Sequence, residues 1–145
     1  MQTTVRDLLK RKSGPIRYVI ETDSVLRAVE QLVQYNISAV VVLDGSELIG
    51  IVTERDIARN VVLSGTTPNA TAVGEIMTRD VLFVRPDQTI EECMALMTER
   101  RIRHLPVLEG GRLIGILSIR DLVDALVSQK QFVIEQLESY ITGRI

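Results

Sequence analysis

Shifting the chain against itself by 65 residues lays Ile37–Ala58 on Ile102–Val123 without a gap, and ten of the 22 positions are identical. They are Ile37/Ile102, Val42/Val107, Leu43/Leu108, Gly45/Gly110, Leu48/Leu113, Ile49/Ile114, Gly50/Gly115, Ile51/Ile116, Arg55/Arg120 and Asp56/Asp121. Average composition yields roughly one to three matches in such a window. One supersecondary unit is therefore built twice. Upstream, Val25, Ala28, Val29 and Leu32 keep the same offset in character against Ile90, Cys93, Met94 and Met97. Further upstream the offset becomes 68, where Val5-Arg6-Asp7-Leu8-Leu9 resembles Val73-Gly74-Glu75-Ile76-Met77. The first copy thus carries three extra residues, placed in Lys10–Pro15.

Each copy reads as β-α-β-β-α. Val25, Ala28, Val29, Leu32 and Val33 follow the i, i+3, i+4, i+7, i+8 spacing of a helix with one buried face. Thr89-Ile90-Glu91-Glu92 opens the equivalent helix with a capping box. Strands are expected at Ala39–Leu43 and Leu48–Thr53 around the turn Asp44-Gly45-Ser46. In the second copy they fall at Leu105–Leu108 and Leu113–Ser118 around Glu109-Gly110-Gly111. Helices follow at Glu54–Leu63 and Ile119–Val127, with Ser64–Thr71 as a polar linker. A separate last helix, Gln129–Ile141, carries Val133, Leu137, Tyr140 and Ile141 on one face, with Gly143 to terminate it. The strands are nearly continuous in apolar residues, as when both sheet faces are covered. The fold class is α/β (α+β), with repeat 1 in residues 1–66, repeat 2 in 67–128 and a helical tail in 129–145. Half-domains of about 60 residues are marginal alone. They are expected to pack about a pseudo-twofold axis and share one core.

Composition excludes several function classes. Hydrophobic residues make up 46% and charged residues 25%, enough for a globular core and too apolar for disorder. Aromatics are 3% with no Trp, so base-stacking platforms have little to build on. The net charge of −2 offers no global field for nucleic acid or anionic lipid. The longest apolar run, Ala39–Leu43, is too short to span a bilayer. Residues Met1–Gly14 lack the apolar stretch of a signal peptide, and Cys93 is a lone cysteine. The expectation is a reduced, soluble, cytoplasmic protein.

Chemistry concentrates in Gly50-Ile51-Val52-Thr53-Glu54-Arg55-Asp56 and Gly115-Ile116-Leu117-Ser118-Ile119-Arg120-Asp121. Each ends a strand and starts a helix, where free backbone N–H groups and a positive partial charge suit phosphate. An Asp can accept both hydroxyls of a ribose, and the neighbouring Arg can reach phosphate. The same spacing is also a plain capping box. Capping, however, requires neither the Arg nor the Gly three residues before the hydroxyl, and the combination occurs twice.

These features, with Ile76-Met77-Thr78 and Ile102-Arg103-His104-Leu105-Pro106-Val107, make the chain resemble a tandem pair of cystathionine beta-synthase (CBS) domains, the Bateman module. The likeness covers about Val5 to Val127. It implies two repeats packed sheet to sheet and a cleft between them for adenosine-containing ligands such as AMP, ATP or NAD. It also implies regulation of a partner protein, and no catalysis. One site takes its ribose carboxylate from Asp121, with Ser118 and Arg120 near phosphate. Its adenine lies against Ile37, Ser38 and Ala39 and the loop residues Gly14, Ile16 and Tyr18, with Ile116 lining it. The pseudo-symmetric site uses Asp56, Thr53 and Arg55, with Ile51 in the place of Ile116. Its adenine lies against Thr78, Val81 and Leu82 and against Ile102, Arg103 and His104. Ser38, Ala39 and Val41 of the first repeat stand where the second has Arg103, His104 and Pro106, so the two sites are expected to be unequal.

The remaining candidates read as structural. His104 is the only histidine and has no cysteine cluster beside it, so neither a metal site nor a Ser-His-Asp triad is expected. Cys93 falls on the apolar face of a helix. Arg100, Arg101 and Arg103 form the densest basic cluster, which suits a helix C-terminus. CBS pairs commonly form homodimers, and the last helix could pack on a second chain. The alternative function is a structural, dimerising protein with vestigial clefts. An enzyme, for instance a nucleotide hydrolase, lacks the paired carboxylates or activated nucleophile it would need.

Overall fold

The structure is a computed structural model that describes residues 2–12 and 14–142. Gly143, expected to end the last helix, lies outside them. In chain order the elements are α1 (Val5–Arg11), β1 (Tyr18–Val19), α2 (Val25–Gln34), β2 (Ala39–Asp44), β3 (Glu47–Thr53) and α3 (Glu54–Ile57). A π-helical turn at Ala58–Val62 and a 3-10 turn at Pro68–Ala70 follow. The second half holds α4 (Val73–Ile76), α5 (Ile90–Arg100), β4 (His104–Glu109), β5 (Arg112–Ser118) and α6 (Ile119–Thr142).

The hairpins form where expected. β2 pairs antiparallel with β3 around Gly45-Ser46, and β4 with β5 around Gly110-Gly111. Both Gly110 (φ +58) and Gly111 (φ +81) adopt left-handed conformations, as a tight hairpin turn needs. The leading strand of each repeat is weaker than its pattern. β1 pairs parallel with β2 over two residues, and in the second half only Val84 pairs, with Val107. The Val84 N–H donates to the Pro106 carbonyl at 2.9 Å, and the Leu108 N–H donates to the Val84 carbonyl at 3.0 Å. The next donors in a parallel ladder would be Pro106 on one side and Pro86 on the other. Neither has an N–H, so the strand stops at one residue.

The expected single shared core is in fact two. Val40, Val42 and Val52 pack with Val25, Ala28 and Leu32 of α2 in one cluster. Leu105, Val107 and Leu117 pack with Ile90, Cys93 and Met97 of α5 and with Leu122 and Ala125 of α6 in the other. Side chains alternate along a strand, so Val41 and Ile51 face the other sheet, where β3 and β5 touch. Two helix-on-sheet layers cannot merge their cores, because the sheets stand between them.

The short leading helices cross over. Val5 and Leu8 of α1 belong to the second core, whereas Val73 and Ile76 of α4 belong to the first. The backbone bonds that hold them are pseudo-symmetric. Val5 N–H donates to Gln88 O (2.8 Å) and Arg6 N–H to Pro86 O (2.9 Å). Val73 N–H donates to Asp23 O (2.8 Å) and Gly74 N–H to Glu21 O (2.9 Å).

Two helices also differ from expectation. The helix expected at Glu54–Leu63 is α helical for four residues and then π helical. The helices expected at Ile119–Val127 and Gln129–Ile141 are one helix of 24 residues. No Gly or Pro stands between Ile119 and Thr142, so nothing breaks the ladder at Ser128. Beyond Gln129, whose amide donates to the Thr3 hydroxyl, the apolar residues Val133, Leu137, Tyr140 and Ile141 are exposed, so the stripe does not cover the chain's own core.

Candidate functional site

Both motif carboxylates sit on helix caps. The Thr53 hydroxyl accepts the Asp56 N–H at 3.2 Å, and Asp56 Oδ2 accepts the Thr53 N–H at 2.9 Å. Ser118 and Asp121 repeat this at the start of α6, at 3.2 and 2.8 Å. The capping reading therefore holds at both positions, and in each Asp it engages Oδ2. The motif glycines have a packing reason. A Cβ on Gly50 would stand 2.6 Å from Met77 Sδ, and one on Gly115 2.5 Å from Leu9 Cδ2. They admit the leading helices onto the strands and say nothing by themselves about a ligand.

The two clefts then diverge. Beside Asp56, Thr78 pairs with Ile51 of β3 through both main-chain bonds, each 2.9 Å. Its hydroxyl also donates to Asp56 Oδ1 at 3.1 Å, so both carboxylate oxygens are engaged. Beside Asp121 a lysine side chain does the same work. Lys12 Nζ donates to the Ile116 carbonyl at 2.8 Å and to Asp121 Oδ2 at 2.9 Å. Among the described residues, nothing donates to Asp121 Oδ1.

A cleft of about 600 Å³ opens on this second side, within the range of small-molecule sites. Gly14, Ile16, Ile37, Ser38 and Ala39 line it from the first half, and Ile116, Ser118 and Arg120 from the second. All were expected there. Arg103 and His104, expected centrally, line it too. Tyr18 does not: it borders a neighbouring groove of about 640 Å³ between β1 and α2, which shares Ile16, Arg17 and Tyr35 with the cleft. That groove is open, and Asp23 and Arg27 in its wall pair with each other at 3.6 Å. Asp121, expected to line this cleft, stands behind the lining and meets it through Lys12, while Pro106 and the pseudo-symmetric residues Ile51, Thr53, Arg55, Asp56, Thr78, Val81, Leu82 and Ile102 lie outside it. Ile51 and Pro106 are buried.

Sequence reasoning missed several lining residues. Lys12 carried one signal, its place in Lys10–Pro15, the segment that holds the extra residues of the first repeat. Arg17 reaches the cleft after stacking on the Tyr35 ring, 3.7 Å from its centroid. Glu54 stands where the second repeat has Ile119 and had no signal at all. The lining cations Lys12, Arg17, Arg103 and Arg120 outnumber the acid Glu54, on a chain whose net charge is −2.

His104 joins the halves. Its Nε2 lies 2.6 Å from Ser38 Oγ. Burial holds its pKa below the ordinary histidine value, helped by Arg103 and Lys12 and opposed by Asp121. The unfolded chain therefore binds a proton at a higher pH than the folded one, and stability falls as pH drops below about 6.5 toward the folded pKa. The melting temperature is expected to fall between pH 7.5 and 5.5, and His104→Asn to flatten that slope. An equal slope in the variant would assign the effect elsewhere. Cys93 is buried, with its thiol pushed up to about 11 by burial, as a core cysteine should be. No helix among the described residues is long and apolar enough to cross a membrane, and no group of three potential metal ligands occurs among them.

Two repeated units, crossed leading helices and a ligand-sized cleft between the sheets define a paired-repeat binding module. A family model of the CBS domain matches residues 5–63 and 73–128, and the chain belongs to the CBS-domain proteins as a tandem pair. It is 37% identical to the CBS domain-containing protein CBSX3, mitochondrial, of Arabidopsis thaliana, over 97% of this chain and 73% of that one. A protein with CBS domains from Burkholderia ambifaria MC40-6 superposes with a TM-score of 0.84 at 50% identity, covering 87% of this chain and 95% of that one. The CBS domain pair of protein MJ0100, in complex with 5'-methylthioadenosine and S-adenosyl-L-methionine, superposes with a TM-score of 0.77 at 27% identity, covering 89% and 99%. CBS pairs are regulatory ligand-binding modules, generally without catalytic activity.

Proposed function

We propose that this chain senses an adenosine nucleotide (AMP, ATP or NAD) in the cleft beside Asp121 and passes the occupancy to a partner protein in the cytoplasm. One observation carries the reading: of two pseudo-symmetric carboxylates, Asp121 alone is flanked by cleft-lining residues, Ser118, Arg120 and the Lys12 bonded to it, and nothing among the described residues donates to its Oδ1. That oxygen suits a ribose hydroxyl, and Ile16, Ile37, Ser38 and Ala39 offer a mostly apolar wall for adenine. Arg120, Arg103 and Lys12 suit phosphate. The adenosine ligands of the MJ0100 pair share the nucleoside and favour this class. The exposed stripe of α6 supports a homodimer.

The alternative, a dimerising protein with vestigial clefts, draws support from Lys12 covering Asp121. Native mass spectrometry of protein purified without added ligand separates the two. A dimer that retains a nucleotide mass, or gains one on adding AMP, ATP or NAD, supports sensing. A dimer that takes up none of them at millimolar concentration sinks it.

A further inference from the structure

We infer that Lys12 gates the cleft and sets its selectivity: its ammonium covers Asp121 until a ligand displaces it, then moves to the ligand's phosphate. The cleft thereby accepts phosphorylated ribonucleosides and discriminates against bare nucleosides. This rests on the nucleotide reading above and adds a residue and a preference to it.

The asymmetry between the halves is the ground. The equivalent position beside Asp56 is occupied by Thr78, whose main chain is paired with Ile51 through two bonds and whose short hydroxyl donates to Asp56. Moving Thr78 out of that position means unpairing it from β3. Beside Asp121 the bonds to Ile116 O and the carboxylate come from one flexible side chain that follows α1 and is 42% exposed. A half-exposed ion pair is weak, so this closure is reversible.

The charges then decide which ligand opens it. A nucleoside that takes Asp121 with its ribose leaves the Lys12 ammonium without its partner. Glu54 is the one acid among the cleft's described lining residues, against three arginines. A nucleotide supplies the missing anion itself. The cost of displacing Lys12 thus falls on the nucleoside and is returned to the nucleotide.

Calorimetric titration of AMP and of adenosine into the full chain, its Lys12→Ala variant and its Lys12→Arg variant tests this. In Lys12→Ala the adenosine affinity should rise and the AMP affinity fall, shrinking the ratio of the two Kd values by about tenfold. Lys12→Arg should keep most of the preference for AMP. An unchanged ratio in Lys12→Ala overturns the gate, whether both affinities move together or neither moves. Absence of binding by either ligand in all three proteins overturns the nucleotide reading, and the gate with it.

Discussion

Replacing Asp121 with Ala should weaken nucleotide binding by about 30- to 100-fold, while Asp56→Ala leaves it within about twofold. Hydrogen bonds to a charged group contribute about 1.5–3 kcal/mol. Every 1.4 kcal/mol is about tenfold in Kd. The two substitutions are matched in every other respect. Each removes the carboxylate of a capping box, and each should lower stability by roughly 1 kcal/mol. Each also frees a neighbouring donor, Thr78 in one case and Lys12 in the other. Only Asp121 is joined to the cleft lining through a displaceable partner, Lys12. Calorimetry with AMP, ATP and NAD, beside thermal melting, reads both consequences. Equal losses of affinity in the two variants would mean that both clefts bind and that Thr78 gives way as readily as Lys12.

Leu8→Ala should destabilise the far half of the molecule by about 2–4 kcal/mol, out of a total stability on the order of 5–15 kcal/mol. Leu8 lies near the N-terminus yet is only 4% exposed, within the core formed by Leu105, Val107 and Leu117. Removing it leaves a cavity there. Amide hydrogen exchange should therefore lose protection in β4 and β5 before β2 and β3. The mirror substitution, Ile76→Ala, should act on β2 and β3, because Ile76 packs in the first core. Protection lost first in the sequence-adjacent half would show that the leading helices do not cross over in solution.

Much of the fold was legible from short-range patterns. The hairpin turns follow from glycines at fixed places, and the caps at Thr53 and Thr89 from hydroxyls three residues before an acid. The buried stripe of α2, Val25, Ala28 and Leu32, follows from its 3.6-residue period, although Val33, expected on the same face, is exposed near the helix end. Where the reading failed, a second segment had decided the outcome. The leading strand of the second repeat looked like that of the first. It was cut to one residue by Pro106, which lies more than twenty positions away in the ladder partner, and by Pro86. The single helix α6 was divided in expectation because the repeat ends near Val127, although no residue in it breaks a helix.

The site shows the same division. The motif sequence located Ser118, Arg120 and Asp121 and their first-half counterparts, because a strand end followed by a cap is a local statement. It could not say that the counterparts would be unequal in access, since both copies spell almost the same residues. That inequality arises from Lys12 and Thr78, which approach β5 and β3 from distant parts of the chain.

The sequence by itself determined a duplicated unit, its strands, turns and caps, and an aliphatic core, because each depends on neighbours within a few residues. Only the tertiary structure decided which core each leading helix joins and which of two similar carboxylates lies behind a cleft-lining side chain. The two copies present equivalent apolar faces, so no local preference separates one docking from the other. The choice falls to how the connecting segments reach across the sheets.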